Sequence, residues 1–138
     1  MKKIFIMATL SITTGFIHAQ HSWTIVLHKK LLFAGQEVSE EKNIKLIRST
    51  DWKKNGYLEV NFKEAQPSTW IHSIRFNDEQ GNELLVKDSV TFAKVTTSAL
   101  RKLFAGKKQV KIYMVLSPPN PMMMAPTRML HLVTLKLP

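Results

Sequence analysis

The chain has 138 residues, no cysteine, and 20 Lys and Arg against 10 Asp and Glu, which gives a formal net charge of +10. The lack of cysteine in this chain excludes a disulfide framework, a thiolate zinc or iron–sulfur site and a cysteine nucleophile. With 44% hydrophobic and 22% charged residues, the composition is that of an ordinary globular protein of a single domain.

The N-terminal residues have the pattern of a secretory signal peptide. Lys2 and Lys3 form a short basic start, and residues 4–17 contain no charged side chain. The small residue Ala19 follows, so we predict a signal peptide over residues 1–19 with cleavage after Ala19. The alternative is a membrane anchor, but the apolar run is shorter than the roughly 20 residues that cross a bilayer. We therefore expect a secreted or periplasmic protein without a transmembrane span, whose single domain covers residues 20–138.

Short alternations of apolar and polar residues predict β-strands along the first half of this domain. We predict the first four strands at residues 23–28, 31–34, 43–48 and 57–63. In the third strand, Ile44 and Leu46 are expected on one face. Before the fourth strand, Asn55 and Gly56 favour the positive φ angles of a tight hairpin turn, and Trp52 in the same turn is expected to be exposed.

The second half of the chain continues with strands and one short helix. We predict the remaining strands at residues 70–76, 83–86, 89–95, 109–116 and 127–137. Hydroxyl residues at 96–98, the spacing of Leu100, Leu103 and Phe104, and the following Gly106 predict a helix over residues 99–105. The segment 117–126 contains four prolines and is expected to be irregular.

Seven to nine short strands without strand–helix–strand alternation predict an all-β fold, an antiparallel β-sandwich with one short helix. Among sandwiches, we predict an immunoglobulin-like arrangement. Trp23 and Trp70 fall in strand patterns and are expected in its core.

The positive charge is placed unevenly along the chain. Residues 20–88 contain ten basic and ten acidic residues, whereas residues 89–138 contain eight basic residues and no acid. Five of these cations lie close together in the sequence and are predicted to bind an anionic partner: Arg101, Lys102, Lys107, Lys108 and Lys111. An anionic glycan, the envelope surface or an acidic protein fits this prediction, and export argues against nucleic acid. The alternative is a solvated basic face that maintains solubility.

Methionine is also clustered, since five methionines fall between residues 114 and 129. Thioether and imidazole groups are suitable ligands for Cu(I), so an alternative hypothesis is a copper site. Its predicted ligands are Met122, Met123, Met124, Met129 and His131. Met114 alternates with Val110 and Ile112 and is expected to pack in the core. The competing interpretation of the other methionines is that they are adaptable apolar fillers.

Motifs of catalysis are missing from this sequence. There is no Gly-x-Ser-x-Gly elbow and no glycine-rich phosphate loop. We therefore predict that the protein is not an enzyme and has no cofactor, and that it is an exported binding or accessory module recognising an anionic or protein partner through its basic C-terminal half. The alternatives are a periplasmic copper-binding protein and a secreted hydrolase whose site the sequence does not reveal.

Overall fold

A computed structural model describes residues 21–66 and 68–138 of the chain. The predicted signal peptide lies outside the described residues, so it stays a prediction. The described elements are β1 (Ser22–Leu27), β2 (Lys30–Gly35), β3 (Ile44–Leu46), α1 (Ser49–Lys53), β4 (Tyr57–Lys63), β5 (Ile71–Asn77), β6 (Glu83–Asp88), β7 (Phe92–Thr96), α2 (Thr97–Leu103), β8 (Gln109–Ser117) and β9 (Arg128–Lys136).

The strands form two sheets. One has four strands in the order β2-β1-β4-β7, and the other has five in the order β3-β9-β8-β5-β6. The prediction of an all-β class is confirmed, and the two sheets are consistent with a β-sandwich. The antiparallel prediction is wrong for one pair, because β3 runs parallel to β9. The chain enters β3 from the other sheet, so no hairpin turn forces the antiparallel direction.

Alternate residues of the strands fill the core, as period-two patterning requires. In β4, the side chains of Leu58, Val60 and Phe62 are buried, while the residues between them are partly or fully exposed. Met114 is also fully buried, which confirms its predicted core position. Trp23, predicted in the core, is buried and donates from Nε1 to the carbonyl oxygen of Leu132 at 3.0 Å. This hydrogen bond links the two sheets.

Helix α2 is the helix predicted after the seventh strand, shifted by two residues toward the N-terminus. The hydroxyl of Thr96 accepts a hydrogen bond from the backbone N–H of Ala99 at 3.2 Å, which is the expected N-cap contact. Gly106 adopts a φ of 76°, a conformation that glycine tolerates after a helix. Leu100 and Phe104 are buried on one side, so packing against the sheets stabilises this short helix.

The predicted Asn-Gly hairpin is wrong. β3 and β4 belong to different sheets, and the short helix α1, which the sequence did not predict, begins the connection between them. Positive φ among the described glycines occurs at Gly81 and Gly106, and Gly56 instead allows a close approach. A Cβ at Gly56 would overlap with Nδ1 of His28.

The apolar face of the third strand is exposed in the structure. Ile44 and Leu46 are exposed, and the flanking residues Asn43 and Ile47 are buried instead. The strand lies at the edge of its sheet, where no further strand covers it. Trp52, predicted to be exposed, lies in α1 and is partly buried against the core.

Candidate functional site

Arg101, the first residue of the predicted anion site, is bonded to other parts of the protein. Its Nη1 donates to the carbonyl oxygens of Trp52 at 2.8 Å and Lys54 at 3.0 Å, and its Nη2 donates to Oδ1 of Asn55 at 2.8 Å. These bonds join α2 to the end of α1 and the residues that follow it. The guanidinium group therefore fixes the residues between α1 and β4, and its donors already have partners within the protein.

Lys107 is also paired within the protein. Its Nζ lies 3.0 Å from Oδ2 of Asp78, a carboxylate that is fully buried. Asp78 accepts further hydrogen bonds from the backbone of Gln80 and from Asn82, which organise the turn between β5 and β6. Burial by itself raises the pKa of Asp78, but the hydrogen bonds from Lys107 and Asn82 outweigh burial and lower it to about 2.

We expect the ion pair of Asp78 and Lys107 to make the stability of the fold fall at low pH. The pKa of Asp78 is about 2 in the fold against an ordinary value of 3.8, so its carboxylate stabilises the fold fully above pH 3.8. That stabilisation is lost as the pH falls from 3.8 to about 2. The difference in urea midpoint between the wild type and Asp78→Asn should therefore close over this range. Glu41→Gln, in an exposed loop, is the control, and a constant difference for Asp78→Asn would contradict the prediction.

The other three predicted cations are less constrained. Lys102 and Lys108 are exposed, and Lys111 is partly exposed on β8 opposite Asn77 and Thr134. The structure thus places the five residues along one helix, one turn and one strand, and two of the five already have polar partners. Anion binding by this group stays a prediction.

The methionines and the histidine of the copper hypothesis differ in exposure: the methionines are exposed, whereas the histidine is buried. Met122, Met123, Met124 and Met129 are exposed in or beside the loop that joins β8 to β9. His131 is buried, and its Nε2 lies 2.7 Å from Oγ1 of Thr134. The imidazole thus has a partner within its own strand, and copper binding stays a prediction.

A segment between β2 and β3 covers His131 on the outer face of the five-stranded sheet. Tyr113, the cross-strand neighbour of His131, donates its hydroxyl to Oε1 of Glu40 at 3.2 Å. Burial lowers the pKa of His131, the charge of Glu40 raises it, and Lys111 lowers it further. Burial dominates, so the neutral imidazole is favoured.

A cluster of Ser68, Glu64 and His72 bears on the hydrolase alternative. Glu64 accepts a hydrogen bond from the hydroxyl of Ser68 at 2.6 Å, and Nε2 of His72 lies 3.2 Å from the other carboxylate oxygen. A serine nucleophile needs the histidine beside its own hydroxyl, with the carboxylate behind the histidine. Here the carboxylate lies between the serine and the histidine, so the arrangement lacks the contact that would activate Ser68.

A groove of about 720 Å³ opens where the edges of the two sheets approach one another. We call it the β2–β3 groove. Its charged and apolar side chains come from β2, β3, α1 and the residues that flank α1. They include four exposed cations and three exposed apolar residues: Lys30, Lys45, Arg48, Lys54, Leu31, Ile44 and Leu46. Asp51 is the acidic residue among those that line it.

The cations of this groove are available to a ligand. Within the described residues, none of the four has an acidic group within ion-pair distance, unlike Lys107. The exposed leucines lie beside them, so the groove combines positive charge with apolar surface. That combination suits a ligand that has anionic and apolar groups together.

His28 separates this groove from a second pocket of about 430 Å³, which Tyr57, Glu59 and Lys94 help to line. His28 and Lys29 form the turn between β1 and β2, and their φ angles of 51° and 66° lie in the left-handed region. The Nε2–H of His28 donates to the carbonyl oxygen of Asp51 at 2.7 Å, which ties this turn to α1. The tie holds one end of the groove, since both Asp51 and β2 contribute to its lining.

The sequence prediction missed the groove because its cations are scattered over residues 30–54, in a half of the chain with no net charge. One signal was present, since the Lys53-Lys54 pair stands near Arg48 in the sequence. The pairing of these residues with Lys30 and Lys45 depends on the two sheet edges lying together.

Comparisons of the chain with protein-family models, with curated proteins and with solved structures gave no match. Among residues 21–66 and 68–138, no helix has the length and apolar character to cross a membrane. The same residues contain no cluster of three or more His, Asp or Glu side chains placed to hold a metal ion.

Proposed function

We propose that this protein is an exported, non-catalytic binding module that recognises an anionic partner through the β2–β3 groove. The supporting observation is the presence of four exposed cations around one groove with a single acidic residue in its lining. Charges grouped around a cleft raise the local potential more than the same charges spread over a surface. An anionic ligand is therefore attracted to the groove before it makes close contact.

The proposal places the main site elsewhere than the C-terminal residues predicted from the sequence. Lys102 and Lys108 remain exposed and add positive charge to the molecule. Arg101 and Lys107, by contrast, would have to release polar partners before they contacted an anion. A cation with no internal partner gives more net binding energy, because no existing interaction is lost.

We also propose that the two-sheet fold is immunoglobulin-like. In the five-stranded sheet, β9, β8, β5 and β6 follow the spatial order of immunoglobulin strands G, F, C and C′. In the four-stranded sheet, β1, β4 and β7 correspond to strands A, B and E. The edge strands β2 and β3 are additional to this common set, and they form the groove.

We expect charge reversal in the groove to weaken binding to heparin, a soluble polyanion that serves as the probe. Lys45→Glu/Arg48→Glu should raise the Kd by about tenfold or more, because each cation near an anionic surface contributes about 1 kcal/mol. Binding is measured by titration at a fixed low salt concentration and again at higher salt. The wild type should lose affinity with salt more steeply than the variant.

The matched control is Lys102→Glu/Lys108→Glu, which changes the net charge equally at exposed positions outside the groove. It should retain most of the wild-type affinity. If the control variant loses as much affinity as the groove variant, then heparin senses only net charge. If the control variant loses affinity and the groove variant does not, the C-terminal prediction is favoured over the groove.

A further inference from the structure

The groove lies between two strand edges that have no neighbour in the described sheets. β2 ends the four-stranded sheet and pairs with β1 alone, and β3 ends the five-stranded sheet. Alternate residues of an edge strand direct their N–H and C=O groups away from the paired strand. β2 has six residues, and its pairing with β1 shifts register once, between the pairs Ile25–Phe33 and Val26–Leu31. The part that lines the groove is Lys30–Leu32, at the start of the strand.

Two lysines of the edge strands lie on the inner faces of their sheets. Lys30 pairs with Leu27, and Lys45 pairs with Leu135; both leucines are buried between the sheets. Cross-strand partners lie on the same face, so these two lysines stand at the mouth of the interior. Charged residues in such positions discourage unspecific pairing of edges while still permitting a partner of opposite charge.

The exposed leucines make the groove shallow. Leu31 is 63% exposed and Leu46 is 73% exposed, although both line it. An acyl chain placed there would remain largely in water and would leave the backbone edge of β2 unpaired. An extended peptide would cover the leucines with its own apolar side chains and would pair its main chain with β2. The geometry therefore favours a peptide over a lipid chain.

The arrangement of charge specifies the peptide further. Four cations and one acid line the groove together with the leucines, so the complementary peptide has both acidic and apolar residues. Successive residues of a strand point to opposite faces. A sequence in which acidic and apolar residues alternate therefore has its acids on one face and its apolar side chains on the other.

From these observations, and resting on the proposed function, we propose that the β2–β3 groove binds an extended segment of a partner protein in which acidic and apolar residues alternate. The segment adds as a strand to the free edge of β2. Its carboxylates face Lys30, Lys45, Arg48 and Lys54, and its apolar side chains cover Leu31 and Leu46. The partner is thus recognised by main-chain pairing and by charge together.

The test uses a fluorescent synthetic peptide of alternating glutamate and valine, about as long as β2, with binding followed by anisotropy. Two further peptides have backbone N-methyl groups, one at every glutamate and one at every valine. In a strand, one alternating set of N–H groups faces the neighbouring strand. One N-methylated peptide should therefore bind about tenfold more weakly or worse, while the other retains affinity.

Protein variants complete the test. Lys30→Glu/Lys45→Glu should weaken the unmodified peptide about tenfold or more, and Lys102→Glu/Lys108→Glu should leave its Kd nearly unchanged. If neither N-methylated peptide loses affinity, strand addition is wrong. If heparin binding still depends on the groove in that case, the proposed function stands alone. Groove-dependent binding to anionic phospholipid vesicles with no peptide binding would overturn the peptide in favour of a lipid surface.

Discussion

Replacing Trp23 with alanine should lower the free energy of unfolding by about 3–5 kcal/mol, the usual cost of emptying a large buried aromatic site. The indole is buried between the sheets and donates to the carbonyl oxygen of Leu132 at 3.0 Å. Gly35 of β2 lies directly against it, since a Cβ there would be 2.5 Å from Nε1. Loss of the indole therefore removes packing, a cross-sheet hydrogen bond and the support of the end of β2.

Urea denaturation followed by circular dichroism measures this effect. Trp23→Phe keeps one aromatic ring, but it removes the donor to the carbonyl of Leu132 and empties the space of the second ring. This milder variant should cost about 1–3 kcal/mol. Trp70→Phe, at a partly buried position, is the control. A Trp23→Phe cost no larger than that of the control would mean that the bond to Leu132 adds nothing to stability.

Arg101→Gln should lower the free energy of unfolding by about 2–3 kcal/mol, since hydrogen bonds from a charged group contribute more than neutral ones. The guanidinium group bonds to the carbonyl oxygens of Trp52 and Lys54 and to the side chain of Asn55. These contacts fix the residues that follow α1, and Lys54 among them lines the β2–β3 groove. Heparin binding should weaken as well, because this part of the groove loses its support.

Two variants of Arg101 and its neighbour distinguish support from direct contact with the anion. Lys102→Gln removes the same charge at the next, exposed position and should change stability by less than about 0.5 kcal/mol. Arg101→Lys keeps the charge but loses the forked donor geometry, so it should remain destabilised. If Arg101→Lys recovers both stability and heparin affinity, then Arg101 acts through its charge alone, as the sequence prediction proposed.

Several features of the candidate site could not have been predicted from the sequence. The burial of a strand depends on what covers it, and the edge position of β3 exposes Ile44 and Leu46 despite their apolar pattern. Positive φ angles were predicted at Asn55-Gly56, but they occur at His28 and Lys29 in the turn after β1. Hydrophobic pattern and turn propensity report local preference, and strand pairing in the sheets overrides both.

The sequence by itself determined most of the strands, the capped helix α2 and the core position of Met114, because these depend on residues that are neighbours along the chain. Only the tertiary structure decided where positive charge is available. The first half of the domain has no net charge, yet four of its cations line a groove. One of its acids, Glu40, lies elsewhere and accepts a hydrogen bond from Tyr113 on the outer face of a sheet. Conversely, Arg101 and Lys107 of the basic half have partners inside the fold. Electrostatic interactions depend on distance in space, and folding separates charges that the sequence places close together.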